Sequence, residues 1–588
     1  EPDAKARPAS ALAVAAALPG GDPLAAALAA GETPSPEMVA ASGEEGTLSI
    51  AAGIALYATF LGILAASVFL TDRLMLVRQI PFPKPPAVLA DRAEEIVTRL
   101  SPGLLASDSA WGFSTNSAYL DYLEKQDKGP GRWAPLRAGR PSGIQFWYRQ
   151  APRPLEPTGQ TGVATWSDPA PVVPGMASVV LDASGRLVEL NVVPPQQDAR
   201  DATPGSPDYG ALFSEAGLDF ASFTPAEPLW VPPVYASERR AWEGAFPRTT
   251  EPKIRVEAAA NSGNPVYFQV LGPWSQPTRA QPAQLSSQLN WVQTITLAFL
   301  VILLGTGVLV ARHNLKLGRG DRRGALRVSL YTLLLFLVLW VLEADHVPSL
   351  VGEWRLIQHA LGLGLYIGGL VWIFYIALEP FVRRRWPGAL VSWSRLMAGR
   401  LTDPLVGRDI LVGSLAGAAV SFLSLVDYFL APMLGAPPPR PISSSLGSLL
   451  GVRYFVAQII GFQLNAVLNG MILIAFFFFF LALLRRQWLT TAAMLVFGTA
   501  LIVSALGSGS LPLDVAVFGL CTALLLAAVM RFGLLTLIAA FFVLYQAYPI
   551  TFDTKRWYFG GAMLTLCLYA GLGLYGFLVS RGRRLGFS

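Results

Sequence analysis

Trp291 to His313 reads WVQTITLAFLVILLGTGVLVARH and runs directly into Asn314-Leu-Lys-Leu-Gly-Arg-Gly-Asp-Arg-Arg323. Five basic residues at this junction, Arg312, Lys316, Arg319, Arg322 and Arg323, face one acid, Asp321. An apolar run of about 20 residues crosses the hydrocarbon core as a helix. Clustered Arg and Lys in a short flanking loop mark the cytoplasmic side. Residue 291 is therefore expected outside and residue 313 inside. Residues 75–288, which precede the junction, are expected to form an extracytoplasmic domain, and residues 1–47 a cytoplasmic tail.

The whole chain agrees with a bilayer setting. Of its 588 residues, 53% are hydrophobic and only 14% charged, and its mean hydropathy of +0.46 lies far above that of a soluble protein of this length. The fold class expected is a multi-pass α-helical membrane protein of about ten spans carrying an extracytoplasmic α+β domain. The net charge of +6 gathers beside apolar runs, where it sets topology and meets lipid, so no nucleic acid is expected as a partner. Both cysteines, Cys521 and Cys567, fall in apolar runs, which leaves the outer domain to an ordinary core without disulfides.

The first span is expected over 48–70. The other nine form the block 289–584, with spans near 291–313, 325–343, 356–379, 410–431, 463–484, 488–506, 512–530, 533–549 and 558–580. Arg383, Arg384 and Arg385, then Arg485 and Arg486, then Arg531, fall on the same side as the first basic loop. Arg73, Arg78 and Lys84 follow the first span and argue the other way, but large domains translocate largely regardless of charge. The segment 443–462 reads as an interfacial helix, a re-entrant helix or the start of one long helix.

In the outer segment, Pro81-Phe-Pro-Lys-Pro-Pro86 is a stiff spacer and 87–100 an amphipathic helix. Residues 145–149 read as a strand, and 177–193 as a hairpin turning at Asp182-Ala-Ser-Gly185. Helices are expected at 209–220 and 237–243, then strands at 254–258 and 266–270 around Asn261-Ser-Gly-Asn264. Two related α+β units result, similar in pattern to the small PepSY modules of bacterial envelope proteins.

The N-terminal 47 residues are Ala-rich, with a short helix expected at 9–18 before Pro19-Gly20-Gly21. Asp3 and Arg7-Pro8-Ala9-Ser10-Ala11 resemble the end of the C-lobe in bacterial serine/threonine protein kinases. Gly21-Asp-Pro-Leu24 and Gly31-Glu-Thr-Pro-Ser-Pro-Glu37 resemble the juxtamembrane tail of membrane-anchored, acidobacteria-like members. Asp403-Pro-Leu-Val-Gly-Arg-Asp409 resembles their membrane regions. The chain carries no Gly-rich loop with its strand lysine, no His-Arg-Asp loop and no Asp-Phe-Gly. The resemblance thus implies a kinase domain upstream of Glu1, where ATP and magnesium would bind. This chain is expected to hold no catalytic residue, cofactor or metal of its own.

Asp427, near the outer end of its span, is the main intramembrane charge. It reads either as an interfacial residue or as an ion or proton site, with Asn465 and Asn469 as a polar seam beside it or as interhelical glue. Tyr545, Gln546 and Tyr548 read as an interfacial belt. No histidine follows His359, so Gly507-Ser-Gly-Ser510 has no local base and reads as a turn. His346, Asp345 and Glu353 lack metal-ligand spacing. Residues 386–409 read as an amphipathic helix along the inner leaflet, with 403–409 either a mere elbow into the next span or the place where a tethered cytoplasmic domain would touch.

The function expected is the sensory part of a transmembrane kinase in the bacterial inner membrane, relaying an envelope signal inward. Its partners would be the bilayer, an external ligand or envelope protein, the upstream kinase domain and a second copy of itself. The rival expectation is a transporter or channel with an accessory outer domain.

Overall fold

The computed structural model describes residues 33–41, 46–197, 206–247, 252–277, 287–443, 446–545 and 550–582, together with Leu24 and Ala27. Asp3, Arg7, Pro8, Ser10, Gln546, Tyr548 and the helix expected at 9–18 lie outside the described residues.

Helix α1 (Pro36–Ala41) is a short turn begun by Ser35, whose Oγ accepts from the Met38 amide at 3.1 Å. Helix α2 (Ile50–Leu74) is the first apolar rod, capped by Ser49. Beyond it the chain enters an antiparallel sheet domain. Its elements are α3 (Pro86–Leu100), β1 (Asp108–Thr115), α4 (Ser117–Gln126), β2 (Ile144–Ala151), β3 (Ala177–Asp182), β4 (Leu187–Val192), α5 (Tyr209–Glu215), β5 (Thr224–Ala226), β6 (Glu238–Ala245), β7 (Lys253–Asn261) and β8 (Asn264–Leu271).

The eight strands run in the order β1-β2-β3-β4-β8-β7-β6-β5. The sheet is thus two four-stranded meanders joined through their last strands, with Leu190 opposite Phe268 at the joint. Helices α3 and α5 each lead one meander, and both pack on the same apolar face through Leu89, Ile96, Leu212 and Phe213. Glu215 of α5, buried, takes Arg92 and Arg99 of α3 and fastens the two helices together.

The segment expected as a helix at 237–243 is strand β6, paired with β7 from Glu238 opposite Ala260 to Ala245 opposite Lys253. Its Glu-Arg-Arg-Ala composition favours a helix, but packing decides. Trp242 inserts among Tyr209, Phe213 and Phe220, which an extended backbone allows it to reach.

The helical layer follows: α6 (Ser287–Lys316), α7 (Arg322–Glu343), α8 (Leu350–Arg385), α9 (Val391–Met397), α10 (Pro404–Met433), α11 (Val452–Leu484), α12 (Gln487–Leu506), α13 (Leu511–Phe532), α14 (Leu534–Leu544) and α15 (Phe559–Ser580). Among the described residues nine helices, α2 included, are long and apolar enough to cross a membrane. This is the make-up of a multi-pass membrane protein. Residues 446–450 form a 3-10 turn and α11 starts at Val452, so most of the segment 443–462 belongs to one long helix.

The tenth span, expected over 533–549, is not a long helix. Helix α14 has 11 residues, about 16 Å of helix against a hydrocarbon core of about 30 Å. It is almost wholly buried. Helix α10 approaches it backbone to backbone: a Cβ on Gly413 would strike the Thr536 carbonyl oxygen, and one on Gly417 the Ala540 carbonyl oxygen. Gly407 meets α15 at Ser580 in the same way. Small residues that let helices touch are the usual packing device inside a bilayer.

The layer has two distinct ends. At one, the sheet domain rests on the inter-helix loops. Leu76 N donates to Ile442 O at 3.0 Å, Trp133 Nε1 to Pro438 O at 3.2 Å and Trp557 Nε1 to Phe82 O at 3.2 Å. Ala164 N donates to Asp345 Oδ2 at 2.7 Å, and Arg440 pairs with Asp121 at 2.6 Å. At the other end, Leu48 N donates to Ser580 O at 3.0 Å and Arg383 Nη2 to Arg319 O at 2.9 Å. The basic clusters Arg312 to Arg323 and Arg383 to Arg385 belong to this second end. Gly533 abuts Ala389 there, whereas Ile550 joins Met75, Leu76 and Phe82 beneath the sheet domain. The chain between residues 533 and 550 therefore passes from one end to the other. Leu48 and Ser580 share an end because nine long helices and this stretch make an even number of passes. Arg78, one of the contrary charges after the first span, faces Asp553 at 3.7 Å on the sheet side.

Residues 386–409 do not form a surface helix. They make a turn at Pro387–Leu390 and the seven-residue α9, with Val391, Ser392, Trp393 and Arg395 buried. Arg395 binds Asp403 at 3.0 Å and closes the segment into a plug under the helix ends.

Candidate functional site

Asp427 is fully buried on α10, and neither of its carboxylate oxygens has a hydrogen-bond partner among the described residues. Its neighbour on α13 is a second buried acid, Asp514. The two helices are antiparallel, and their level is fixed where Cys521 Sγ lies 3.8 Å from Val420 O. Asp427 lies seven residues past Val420 and Asp514 seven before Cys521. Both are two helical turns along, so the acids meet at one height, near the sheet-domain end.

The turn before α13 holds Asp514 in place. Its Oδ1 accepts from Ser508 N at 2.9 Å and Ser508 Oγ at 2.6 Å, and Gly509 supplies the turn with φ of 95°. Gly507-Ser-Gly-Ser510 is thus a turn, and its serine serves a carboxylate. No arginine, lysine or histidine pairs with either acid among the described residues. Two facing carboxyls with one hydroxyl can hold a proton or a small cation between them. They fall short of the six to eight oxygens that calcium takes.

Asn465 and Asn469 take no part in this pair. Asn465 Nδ2 donates to Gly461 O and Asn469 Nδ2 to Asn465 O, each at 2.8 Å along their own helix, and Asn465 is exposed. The partner of Asp427 was missed because an acid near the start of an apolar helix reads as an ordinary first-turn charge. The adjoining Ser508 was the available clue.

His346, Asp345 and Glu353 do not converge on one centre. His346 Nδ1 lies 2.7 Å from Glu353 Oε1, while Asp345 turns to the sheet domain and accepts from Ala164. Burial, opposed by that amide, holds the Asp345 carboxyl above its ordinary range. No group of three potential metal ligands occurs among the described residues.

The far end of α10 carries a second set of buried charges. Asp403 holds Arg395, and Asp409, 1% exposed, takes Arg408 at 3.0 Å. Helix α1 lies against α9 and the 387–390 turn, with Val39 buried among Leu390, Trp393 and Leu405. One helix thus ends in the acid pair near the sheet-domain end and begins beneath the N-terminal segment.

On the sheet, Glu189 stands where the two meanders join. It accepts from Asn191 Nδ2 at 2.7 Å and Gln269 Nε2 at 3.2 Å. Burial pushes its carboxyl up despite these two donors.

No family model matches the chain, and no curated protein or solved structure matches it.

Proposed function

We propose that the chain is the membrane-embedded sensory part of a bacterial transmembrane serine/threonine protein kinase. It sits in the inner membrane with residues 75–288 outside and the N-terminus inside, and passes an envelope signal to a kinase domain upstream. The observation that carries this reading is the placement of α10. Its end at Met433 leads into the loop that holds the sheet domain through Pro438, Arg440 and Ile442. Its start at Pro404 lies beside the segment on which α1 docks. A ligand or envelope protein that favours one arrangement of the outer domain would bias α10, and with it the tether of the kinase domain. The two meanders act as paired PepSY-like units, and a second copy of the chain is the natural partner for kinase activation.

Cutting the outer contacts with Trp133→Ala and Arg440→Glu is expected to raise amide exchange at residues 36–41. Unchanged exchange there, with the sheet domain released, overturns the relay. The kinase assignment is tested separately: kinase motifs are expected in the reading frame ahead of Glu1, and a frame without them removes it.

The acid pair favours one second reading, a proton- or cation-coupled transporter or channel. Flux into liposomes that Asp427→Asn abolishes would establish that reading, and no flux with the native chain ends it.

A further inference from the structure

Helices α6 and α8 run in the same direction and meet at the end of the layer away from the sheet domain. The buried amide of Asn314 ties them, donating to Ile376 O at 3.0 Å and Ala377 O at 3.1 Å. Beside this tie the two helices line an open groove of about 400 Å³. Its walls are apolar: Val308, Ala311 and Leu315 on α6, Trp372 and Ile373 on α8. Arg312 and Lys316 complete its lining. Positions 308, 311, 312, 315 and 316 fall at steps of three and four, so they form one stripe of α6.

Among the described residues no acid pairs with Arg312 or Lys316. Asp321, the one acid of the junction, accepts from Gly324 N at 2.9 Å and caps α7. Glu379, the next acid on α8, is committed to Arg383 at 2.9 Å. The groove therefore joins an apolar trough to two exposed positive groups, one turn apart, at the level where the apolar helices give way to charged loops.

We propose that this groove is a binding site for an anionic phospholipid. The phosphate takes hydrogen bonds from the Arg312 guanidinium, whose fork matches two phosphate oxygens, and charge from the Lys316 ammonium. An acyl chain lies along Val308, Ala311 and Leu315 and against the Trp372 ring. Basic pockets between membrane helices are suited to such headgroups. An apolar partner helix laid on the stripe would bury two cations without a counter-charge. A free phosphate would engage the cations and leave the apolar walls unfilled. The inference is independent of the proposed relay, since it involves α6 and α8 and no residue of α10.

The test uses the full chain, delipidated in detergent, with phosphatidylglycerol or phosphatidylcholine added and bound lipid counted by intact-protein mass spectrometry. Phosphatidylglycerol is expected to be retained over phosphatidylcholine. The double variant Arg312→Gln/Lys316→Gln should weaken that retention by about tenfold or more, and Arg322→Gln/Arg323→Gln, on the first turn of α7 and outside the groove, by about twofold or less. Trp372→Leu, which keeps an apolar wall, should retain the headgroup preference, and elution volume checks that each variant is folded. Equal losses in the two double variants would mean a diffuse charge effect and overturn the site. So would a lack of preference for the anionic lipid, or full displacement by inorganic phosphate.

Discussion

Replacing Asp427 by asparagine is expected to make the protein more stable. The carboxyl is fully buried, neither oxygen has a well-formed hydrogen bond among the described residues, and its polar neighbours are another acid and the Ser508 hydroxyl that the acid already holds. An unpartnered buried acceptor costs about 1–3 kcal/mol. The Asp514 carboxyl beside it adds repulsion whenever both are ionised. Asparagine has nearly the same shape, removes the charge and offers an N–H to Asp514. Part of the first cost remains in its amide oxygen, so the net gain expected is about 2 kcal/mol, or a few degrees in melting temperature. Tryptophan fluorescence during heating, in detergent at fixed pH, reads this. Asp427→Asn/Asp514→Asn completes a double-mutant cycle, whose coupling term should show that the two sites interact unfavourably in the native chain. A lower melting temperature for Asp427→Asn would refute the reasoning, because it would mean that the carboxylate has a stabilising partner.

Gly417→Ala should destabilise by about 1–3 kcal/mol, because its Cβ meets the Ala540 backbone, and thermal unfolding checks it. Gly62→Ala, on α2 with nothing within 4 Å of its Cβ, is the control and should lose nothing. Trp133→Ala should cost about 3–5 kcal/mol of docking between sheet domain and loops, against less than about 1 kcal/mol for the exposed Arg440–Asp121 pair; proteolysis at 434–442 measures both. Glu189 has its folded pKa above the unfolded one, so its contribution is full below the ordinary glutamate value and is lost as pH rises through the raised value. Unfolding of the sheet domain followed across acid to neutral pH should therefore show a falling stability that flattens in Glu189→Gln.

Much of the fold was legible because the bilayer imposes simple rules. Apolar runs of fixed length gave nine helices close to their expected places, and alternation gave the hairpins β3–β4 and β7–β8. The departures have physical causes. Helix α14 is short, and its apolar run looked like any other span. What distinguishes it is Gly413 and Gly417 on α10, which bring another backbone against it, and this contact is not local in sequence. Strand β6 carries helix-forming residues, and one tryptophan among three aromatic rings outweighs them. The 386–409 segment has an amphipathic pattern, yet the Arg395–Asp403 bridge folds it into a plug. Asp427 stood out at once as a charge in an apolar run. Asp514 did not, since only the pairing of α10 with α13 sets it opposite.

The packing of α10 also says which seam a relay can use. Against α14 and α15 it is held by glycines in backbone contact, so these three helices move as one body if they move at all. Against α13 the nearest fixed points are the Cys521 thiol beside Val420 O and the Ser424 hydroxyl, with the acid pair two turns above Val420. In the proposed relay, displacement of the loop under the sheet domain is expected to be expressed as sliding at the α10–α13 seam rather than as bending of α10. Joining Ser424→Cys to the native Cys521, with Cys567→Ser to remove the other thiol, closes that seam. In the oxidised variant, releasing the sheet domain with Trp133→Ala and Arg440→Glu should no longer raise amide exchange at residues 36–41, and reduction should restore the response. A response that survives oxidation would place the moving seam elsewhere in the layer.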